Sequence, residues 1–270
     1  MKTIAHISDL HFGTEDKVVV AALAEDIEML NPDVLVVSGD LTQRARRNQY
    51  RSVALFLSQL DYPQIIVPGN HDMPLFDIFR RMANPLGRYT RYILNDLWPM
   101  YLDDEIVVLG MNTARPLAWK KGRISKDQIR ELKRIMCSLS NEPFKILVTH
   151  HPFIPPPRRM VHDIISRAPK AIAAITECDI DLMLAGHLHS GYHGEIKHHY
   201  PGVNQSIIVS HAGTAVSRRR WREPNAYNIV KIFQEKFYII CRQFVSGRFT
   251  QIRKVTFFKR RGKWTEDWRK

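Results

Sequence analysis

Short apolar runs recur along the chain, each closed by a polar junction, and their spacing predicts strands alternating with helices. Thr3-Ile4-Ala5-His6-Ile7 alternates with period two and reads as a strand, as do Asp33 to Val37, Gln64 to Val67, Ile106 to Met111, Phe144 to Val148 and Ile180 to Leu184. Between them, Val18 to Leu30, Ala45 to Leu60, Ser125 to Leu139 and His162 to Glu177 have helical periodicity. Asn31-Pro32 stops the first helix, and Ser125-Lys126-Asp127-Gln128 opens the third as a capping box. Met73 to Tyr101 is broken by Pro74, Pro85, Gly87 and Pro99 and reads as helix and loop able to shape a pocket. Beyond Ser190 the texture turns β-rich, with runs at Tyr192 to His199, Gln205 to Ser210, Ala226 to Phe233, Lys236 to Phe244 and Phe249 to Phe258. Turns near Gln234-Glu235 and at Gly247 make hairpins of the last of these. The β-α-β repetition implies an α/β fold with a parallel sheet, and no linker or solenoid repeat divides the chain, so a single domain over residues 1–270 with two sheets is expected.

Composition narrows the partners. The chain has 270 residues, 44% of them hydrophobic and 25% charged, enough for a substantial core. Cys137, Cys178 and Cys241 are scattered and odd in number, which suggests neither a disulfide framework nor a thiolate zinc site and points to a reducing, cytoplasmic setting. No apolar run approaches the roughly 18 residues that span a bilayer. The net charge of +13 favours an anionic partner, whether nucleotide, nucleic acid or acidic lipid. From Arg242 onward ten basic and two acidic residues place +8 in the tail, among Phe249, Phe257, Phe258, Trp264 and Trp268. That tail reads as a solvated strand pair with a frayed end, or as a peripheral contact with an acidic membrane surface.

The junctions carry the chemistry. Successive strands end in Asp9-Leu10-His11, Ser38-Gly39-Asp40, Pro68-Gly69-Asn70-His71-Asp72, Thr149-His150-His151-Pro152 and Gly186-His187-Leu188-His189. Ligands of open α/β sheets gather at the C-terminal ends of strands. Each pair alone is a weak signal, but five such clusters recur at the ends of these strands. Asp9, His11, Asp40, Asn70, His150, His187 and His189 supply the oxygen and nitrogen donors that two neighbouring divalent ions need, with a carboxylate available to bridge them.

In that order these motifs resemble the calcineurin-like metallophosphoesterases, whose pattern is Asp-x-His, Gly-Asp, Gly-Asn-His-(Asp/Glu), a later His, and Gly-His-x-His. The match runs from residue 9 to 189. The resemblance implies a four-layer α/β/β/α sandwich of two mixed β-sheets flanked by helices, with the β-rich part at about 191–260 completing the second sheet. It implies that Asp9, His11, Asp40 and His189 hold one metal, and that Asp40, Asn70, His150 and His187 hold the other, with Asp40 bridging. The ions would be manganese, iron or zinc, a choice that mixed nitrogen and oxygen sites leave to supply. The family's later motif is usually His-x-Pro, which assigns the ligand role to His150 over His151. His71 matches the non-ligand histidine. It would assist in-line attack on phosphorus by a hydroxide held between the metals, stabilising charge or protonating the leaving oxygen. Asp72 would orient the imidazole and favour its charged form, or would simply fix the loop.

Substrate contacts are less distinctly marked. Gly213-Thr214-Ala215 through Arg218-Arg219-Arg220-Trp221-Arg222-Glu223-Pro224-Asn225 resembles a segment of bacterial phosphodiesterase-like members, and makes Arg220 and Asn225 candidates to grip a phosphate. Arg158-Arg159, on the proline-rich loop after His150, is a further candidate or a solvated turn. Ile7-Ser8-Asp9-Leu10-His11 and Gly39-Asp40-Leu41-Thr42 are similar to the bacterial cyclic-nucleotide phosphodiesterase branch, so an anionic phosphodiester is the leading substrate. A nucleotide-lipid pyrophosphate hydrolase of the UDP-2,3-diacylglucosamine type, peripheral at the inner membrane, is the competing reading, although His71 stands where that branch usually has Arg. A nuclease and a noncatalytic scaffold with the same fold complete the alternatives. Of the other histidines, His6 reads as a satisfied strand residue and His198-His199 as part of an exposed turn.

Overall fold

The computed structural model describes residues 1–156, 164–219 and 223–267. The first half of the chain lays down β1 (Lys2–Ile7), α1 (Lys17–Leu30), β2 (Val34–Ser38), α2 (Arg47–Ser58) and β3 (Gln64–Val67). Helix α1 begins where the Asp16 carboxylate accepts from Val18 N at 3.0 Å, and ends where Asn31 turns left-handed at φ 48°. Its buried stripe is Val19, Leu23 and Ile27, spaced to lie on one face. Asp26 on the same helix is also buried, and is held by the Arg242 guanidinium at 2.6 and 2.5 Å, which clamps α1 to the C-terminal strands.

After β3 come two short helices, α3 (Ile78–Ala83) and α4 (Gly87–Tyr92), then β4 (Met100–Leu102), β5 (Ile106–Gly110), α5 (Lys126–Met136), β6 (Phe144–Val148), α6 (Ala168–Glu177) and β7 (Leu182–Ala185). Strands β8 (Tyr192–Glu195), β9 (Ile208–His211), β10 (Ala226–Ile232), β11 (Lys236–Val245), β12 (Arg248–Arg260) and β13 (Lys263–Glu266) finish the described chain. Ser125 and Gln128 form the expected capping box of α5, at 3.0 and 3.1 Å. Helix α6 starts at Ala168, later than periodicity predicts.

One sheet has the order β13-β12-β11-β10-β1-β2-β3 and the other β4-β5-β6-β7-β9-β8. Both are mixed: β1-β2-β3 and β5-β6-β7-β9 run parallel, and the outer strands antiparallel. Three apolar layers hold the stack together. Leu23, Val53 and Phe56 pack the N-terminal helices on the first sheet, and Val36, Val108 and Val148 fill the space between the sheets. Leu132, Ile172 and Ile175 pack α5 and α6 on the second sheet. This is the four-layer α/β/β/α sandwich. No helix among the described residues is long and apolar enough to cross a membrane.

Two expectations need correction. The C-terminal third does not complete one sheet: β8 and β9 extend the second, whereas β10 to β13 extend the first beside β1. Alternation sets which face of a strand is apolar but carries no record of which edge it joins. Cys137 and Cys178 form a disulfide, contrary to the reading of three unrelated cysteines, with Cα atoms 4.3 Å apart across 41 residues of sequence. They cap the C-terminal ends of α5 and α6, and only the packing of those helices on one sheet face brings them together. The basic tail is built into the sheet, with Phe249, Phe257 and Trp264 buried, while Trp268 lies outside the described residues.

Candidate metal centre

The site forms where the C-terminal ends of β1, β2, β3, β6 and β7 meet, so both sheets contribute. The backbone there is unusual. Asp9 (φ 52°), His11 (φ 46°), Asp40 (φ 50°), His187 (φ 73°) and His189 (φ 56°) all occupy the left-handed region that side chains other than glycine seldom adopt. Such strain persists where surrounding contacts over-determine it, and it clusters at functional sites. The contacts are present here. Asp9 N donates to Gly39 O at 3.0 Å and His11 N to Asp40 O at 2.9 Å, locking the first two loops together. His71 N donates to Asp40 Oδ1 at 2.8 Å and His187 N to Asp9 Oδ2 at 2.9 Å. Gly69 is required by close approach, because a Cβ there would strike the Asp40 carboxylate.

Donor atoms converge in two adjoining groups. In one, His11 Nε2 lies 3.7 Å from Asp9 Oδ1 and 3.6 Å from Asp40 Oδ2, and His189 Nε2 lies 3.7 Å from Asp9 Oδ1. In the other, His150 Nε2 lies 3.4 Å from Asp40 Oδ1 and 3.3 Å from both Asn70 Oδ1 and His187 Nδ1. Two ligands each about 2.0–2.2 Å from one ion stand roughly 3–3.6 Å apart, so these spacings suit donors around a metal. Asp9 Oδ1 and His11 Nε2 are buried without a hydrogen-bond partner, the condition of atoms reserved for an ion. The donors therefore fit a divalent metal.

Outer contacts aim the rings. His150 Nδ1 donates to Ser38 O at 2.8 Å, which leaves Nε2 unprotonated toward Asp40 in the neutral ring. His189 Nδ1 pairs with Thr214 Oγ1 at 2.7 Å, and Ser8 Oγ donates to Asp9 Oδ2 at 2.7 Å. Burial pushes the Asp9 and Asp40 carboxyls up, but neighbouring imidazoles, His189 for Asp9 and His150 for Asp40 foremost, outweigh it and hold both below the usual carboxylate range. Burial, reinforced by His150, lowers His187 to about 3, and burial also lowers His189. These groups are thus in the forms a metal requires, ionised carboxylates and neutral imidazoles. His150 is the counterweight: burial disfavours its charge, yet Asp40 and Asp9 raise it to about 9. In the absence of an ion it carries the positive charge that the carboxylates attract.

All seven residues predicted as ligands are brought together. His151, the rejected neighbour, turns its Nδ1 to Thr113 Oγ1 at 2.8 Å, and its ring packs 4.7 Å from that of His187. His71 lies beside the donors, its ring 4.8 Å from that of His11. Its Nδ1 donates to Gln43 O at 2.9 Å, Arg219 Nη1 donates to its Nε2 at 2.9 Å, and burial lowers it to about 4. Asp72 does not orient that ring. Its carboxylate accepts from Leu41 N at 3.1 Å, Thr42 N at 2.9 Å and Gly69 N at 2.8 Å, and so ties the second loop to the third. Asn225 is buried and donates to Thr214 O at 3.3 Å and Ser217 O at 2.9 Å, bracing the segment that supports His189. Arg158, Arg159 and Arg220 lie outside the described residues. Sequence reasoning passed over Arg44 and Arg219, although Arg219 lies in the arginine run already singled out and Arg44 follows Asp40 by four positions.

Two sheets face to face, with metal donors collected where their strand ends meet, define the metallophosphatase class of α/β sandwich. The family model for calcineurin-like phosphoesterases matches residues 2–191, and the chain belongs to that family. It is 30% identical over 142 residues to a glycerophosphodiester phosphodiesterase of Enterobacter lignolyticus, covering 45% of this chain and 51% of that one. It is 29% identical over 168 residues to a Fibrobacter succinogenes protein named a probable cyclic nucleotide phosphodiesterase, covering 55% and 56%. The chain thus spans about half the length of these curated relatives. A purple acid phosphatase from yellow lupin seeds has the same fold, with a TM-score of 0.70 at 11% identity over 94% of this chain and 53% of that one.

Proposed function

We propose that the protein is a phosphodiesterase working with two divalent ions, one held by Asp9, His11, Asp40 and His189 and the other by Asp40, Asn70, His150 and His187. The observation that carries this reading is the Asp40 carboxylate, which turns Oδ2 to His11 and Oδ1 to His150 and so offers one oxygen to each donor group. Divalent ions there would polarise phosphoryl oxygens and lower the pKa of water toward neutrality. The chain supplies the remaining functions. The bond from His71 Nδ1 to Gln43 O leaves Nε2 as the ring's acceptor, which takes Arg219 Nη1 in the free protein and, once it has taken up a proton, can donate to an oxygen of the substrate instead. A phosphoryl anion arriving there favours the protonated ring, which burial alone disfavours. Arg219 and Arg44 beside the ring neutralise phosphate charge.

The leading substrate class is a cyclic-nucleotide-like phosphodiester. A second reading, a nucleotide-lipid pyrophosphate hydrolase at an acidic membrane surface, is favoured by one observation. Phe76, Phe79 and Leu117 are 79%, 91% and 77% exposed, on the segments joined by the bond from Arg81 to Pro116 O at the edge of the pocket. Manganese-loaded protein, assayed on cyclic AMP, a UDP-diacylglucosamine, single-stranded DNA and bis(p-nitrophenyl) phosphate, separates the readings. Hydrolysis of the last, lost in Asp40→Ala, is expected. Preference for the lipid nucleotide by orders of magnitude would displace the cyclic-nucleotide reading, and an inert wild type would leave only the scaffold.

A further inference from the structure

We infer that the pocket beside His71 binds a second phosphate of the substrate, gripped by Arg81; this rests on the phosphodiesterase reading for its catalytic consequence but not for the binding itself. The pocket has a volume of about 230 Å³, and Asn70 and His71 form its side nearest the metal donors. Arg81, in α3, lines it while being only 2% exposed. Its Nε donates to Pro116 O at 2.8 Å and its Nη1 to Pro74 O at 2.9 Å. Its Nη2 is buried without a hydrogen-bond partner, and no carboxylate among the described residues forms an ion pair with it.

An arginine stays charged wherever it is placed, and an uncompensated charge taken out of water is costly. The two carbonyls orient the guanidinium but do not neutralise it. The Trp119 ring, 4.4 Å from the Arg81 Cζ, adds a π face to one side and brings no negative charge either. The remaining charged groups that line the pocket are Arg44, Lys120 and Arg219, all cations. A pocket lined by Arg44, Arg81, Lys120 and Arg219, with no carboxylate among its described lining residues, is matched by a dianion, and a phosphate monoester satisfies it better than a neutral sugar or base. The substrate class that follows is a phosphodiester carrying a further phosphate, which Arg81 holds while the ester faces Asp40 and His71.

Two measurements test this. Calorimetry on metal-free protein compares thymidine 3′,5′-bisphosphate with thymidine 5′-phosphate, and the bisphosphate should bind at least about tenfold more tightly. Assays on manganese-loaded protein compare p-nitrophenyl thymidine 5′-phosphate with and without a 3′-phosphate, and the extra phosphate should raise kcat/KM by about tenfold or more, mainly through KM. Arg81→Gln should collapse both ratios. Lys120→Ala, at an exposed side chain whose loss leaves the core intact, should reduce them by a smaller factor. Equal binding of the two nucleotides by the wild type, or ratios unchanged in both variants, would overturn the inference even if both esters are hydrolysed. Hydrolysis of neither ester would count against the phosphodiesterase reading, and the calorimetric ratio would still decide the second-phosphate site.

Discussion

At the scale of single residues, the site is organised by what each polar atom already has and what it lacks. Asp72 is saturated by backbone N–H groups, so it fixes loops, whereas Asp9 Oδ1 and His11 Nε2 are buried with no hydrogen-bond partner, as donors to the proposed ions should be. Asp40 belongs to both donor groups. Asp40→Ala should therefore leave the dialysed protein nearly free of metal and lower turnover by about a thousandfold or more. His71→Ala should keep its metal while losing on the order of a hundredfold in turnover, the usual scale for general acid-base assistance. Metal analysis of the two variants side by side decides the point, since equal metal loss would make His71 a ligand. These roles are visible only with partners in view: Asp9, Asp40 and Asp72 are the same residue type, in similar loops after adjacent strands.

At the scale of elements, the second sheet is coupled to its helices by a buried ammonium. Lys145 is 1% exposed in the middle of the second sheet, and its Nζ donates to Met136 O, Leu139 O and Cys178 O at 3.1, 3.3 and 3.1 Å. It satisfies carbonyls at the C-terminal ends of α5 and α6, where the helix dipoles favour a cation. Lys145→Met should cost about 2–3 kcal/mol by leaving those carbonyls unpaired. A urea midpoint indistinguishable from that of the wild type would refute this. In the sequence Lys145 is simply a charged residue interrupting an apolar strand, because the carbonyls it answers come from two helices distant along the chain. Element types, by contrast, were largely legible. The capping box at Ser125 and the Asn31-Pro32 stop act within a few residues, so local chemistry suffices to place α1 and α5.

At the scale of the whole molecule, stacking two sheets buries polar side chains that titrate near neutrality. His6 and His211 are fully buried, and burial, with a further lowering from His193, brings each down to about 3. In the unfolded chain the same rings take up protons near pH 6.5, so below that pH the unfolded state binds protons that the folded state refuses. Their contribution is complete above about pH 6.5 and is lost as pH falls toward 3, by up to about 1.4 kcal/mol per pH unit for each ring. His211→Phe, which removes one such ring, should make stability between pH 7 and pH 5 less steep by about that amount. Denaturant titrations at several pH values check it, and an unchanged slope would show that His211 is protonated in the folded protein.

Sequence alone determined the alternation of strands and helices, the α/β class, and the donors at the strand ends, because each depends on residues close together in the chain. Asp-x-His, Gly-Asp, Gly-Asn-His, the later His150 and Gly-His-x-His are local patterns, and their order picked out seven residues whose polar atoms the fold brings together. Only the tertiary structure decided that β10 to β13 join the first sheet, that Cys137 meets Cys178, and that Asp72 braces loops instead of turning the His71 ring. It also placed Arg81 beside the site with one donor unused. Those outcomes depend on which surfaces meet when layers pack, and two segments far apart in sequence carry no local mark of the contact they will make.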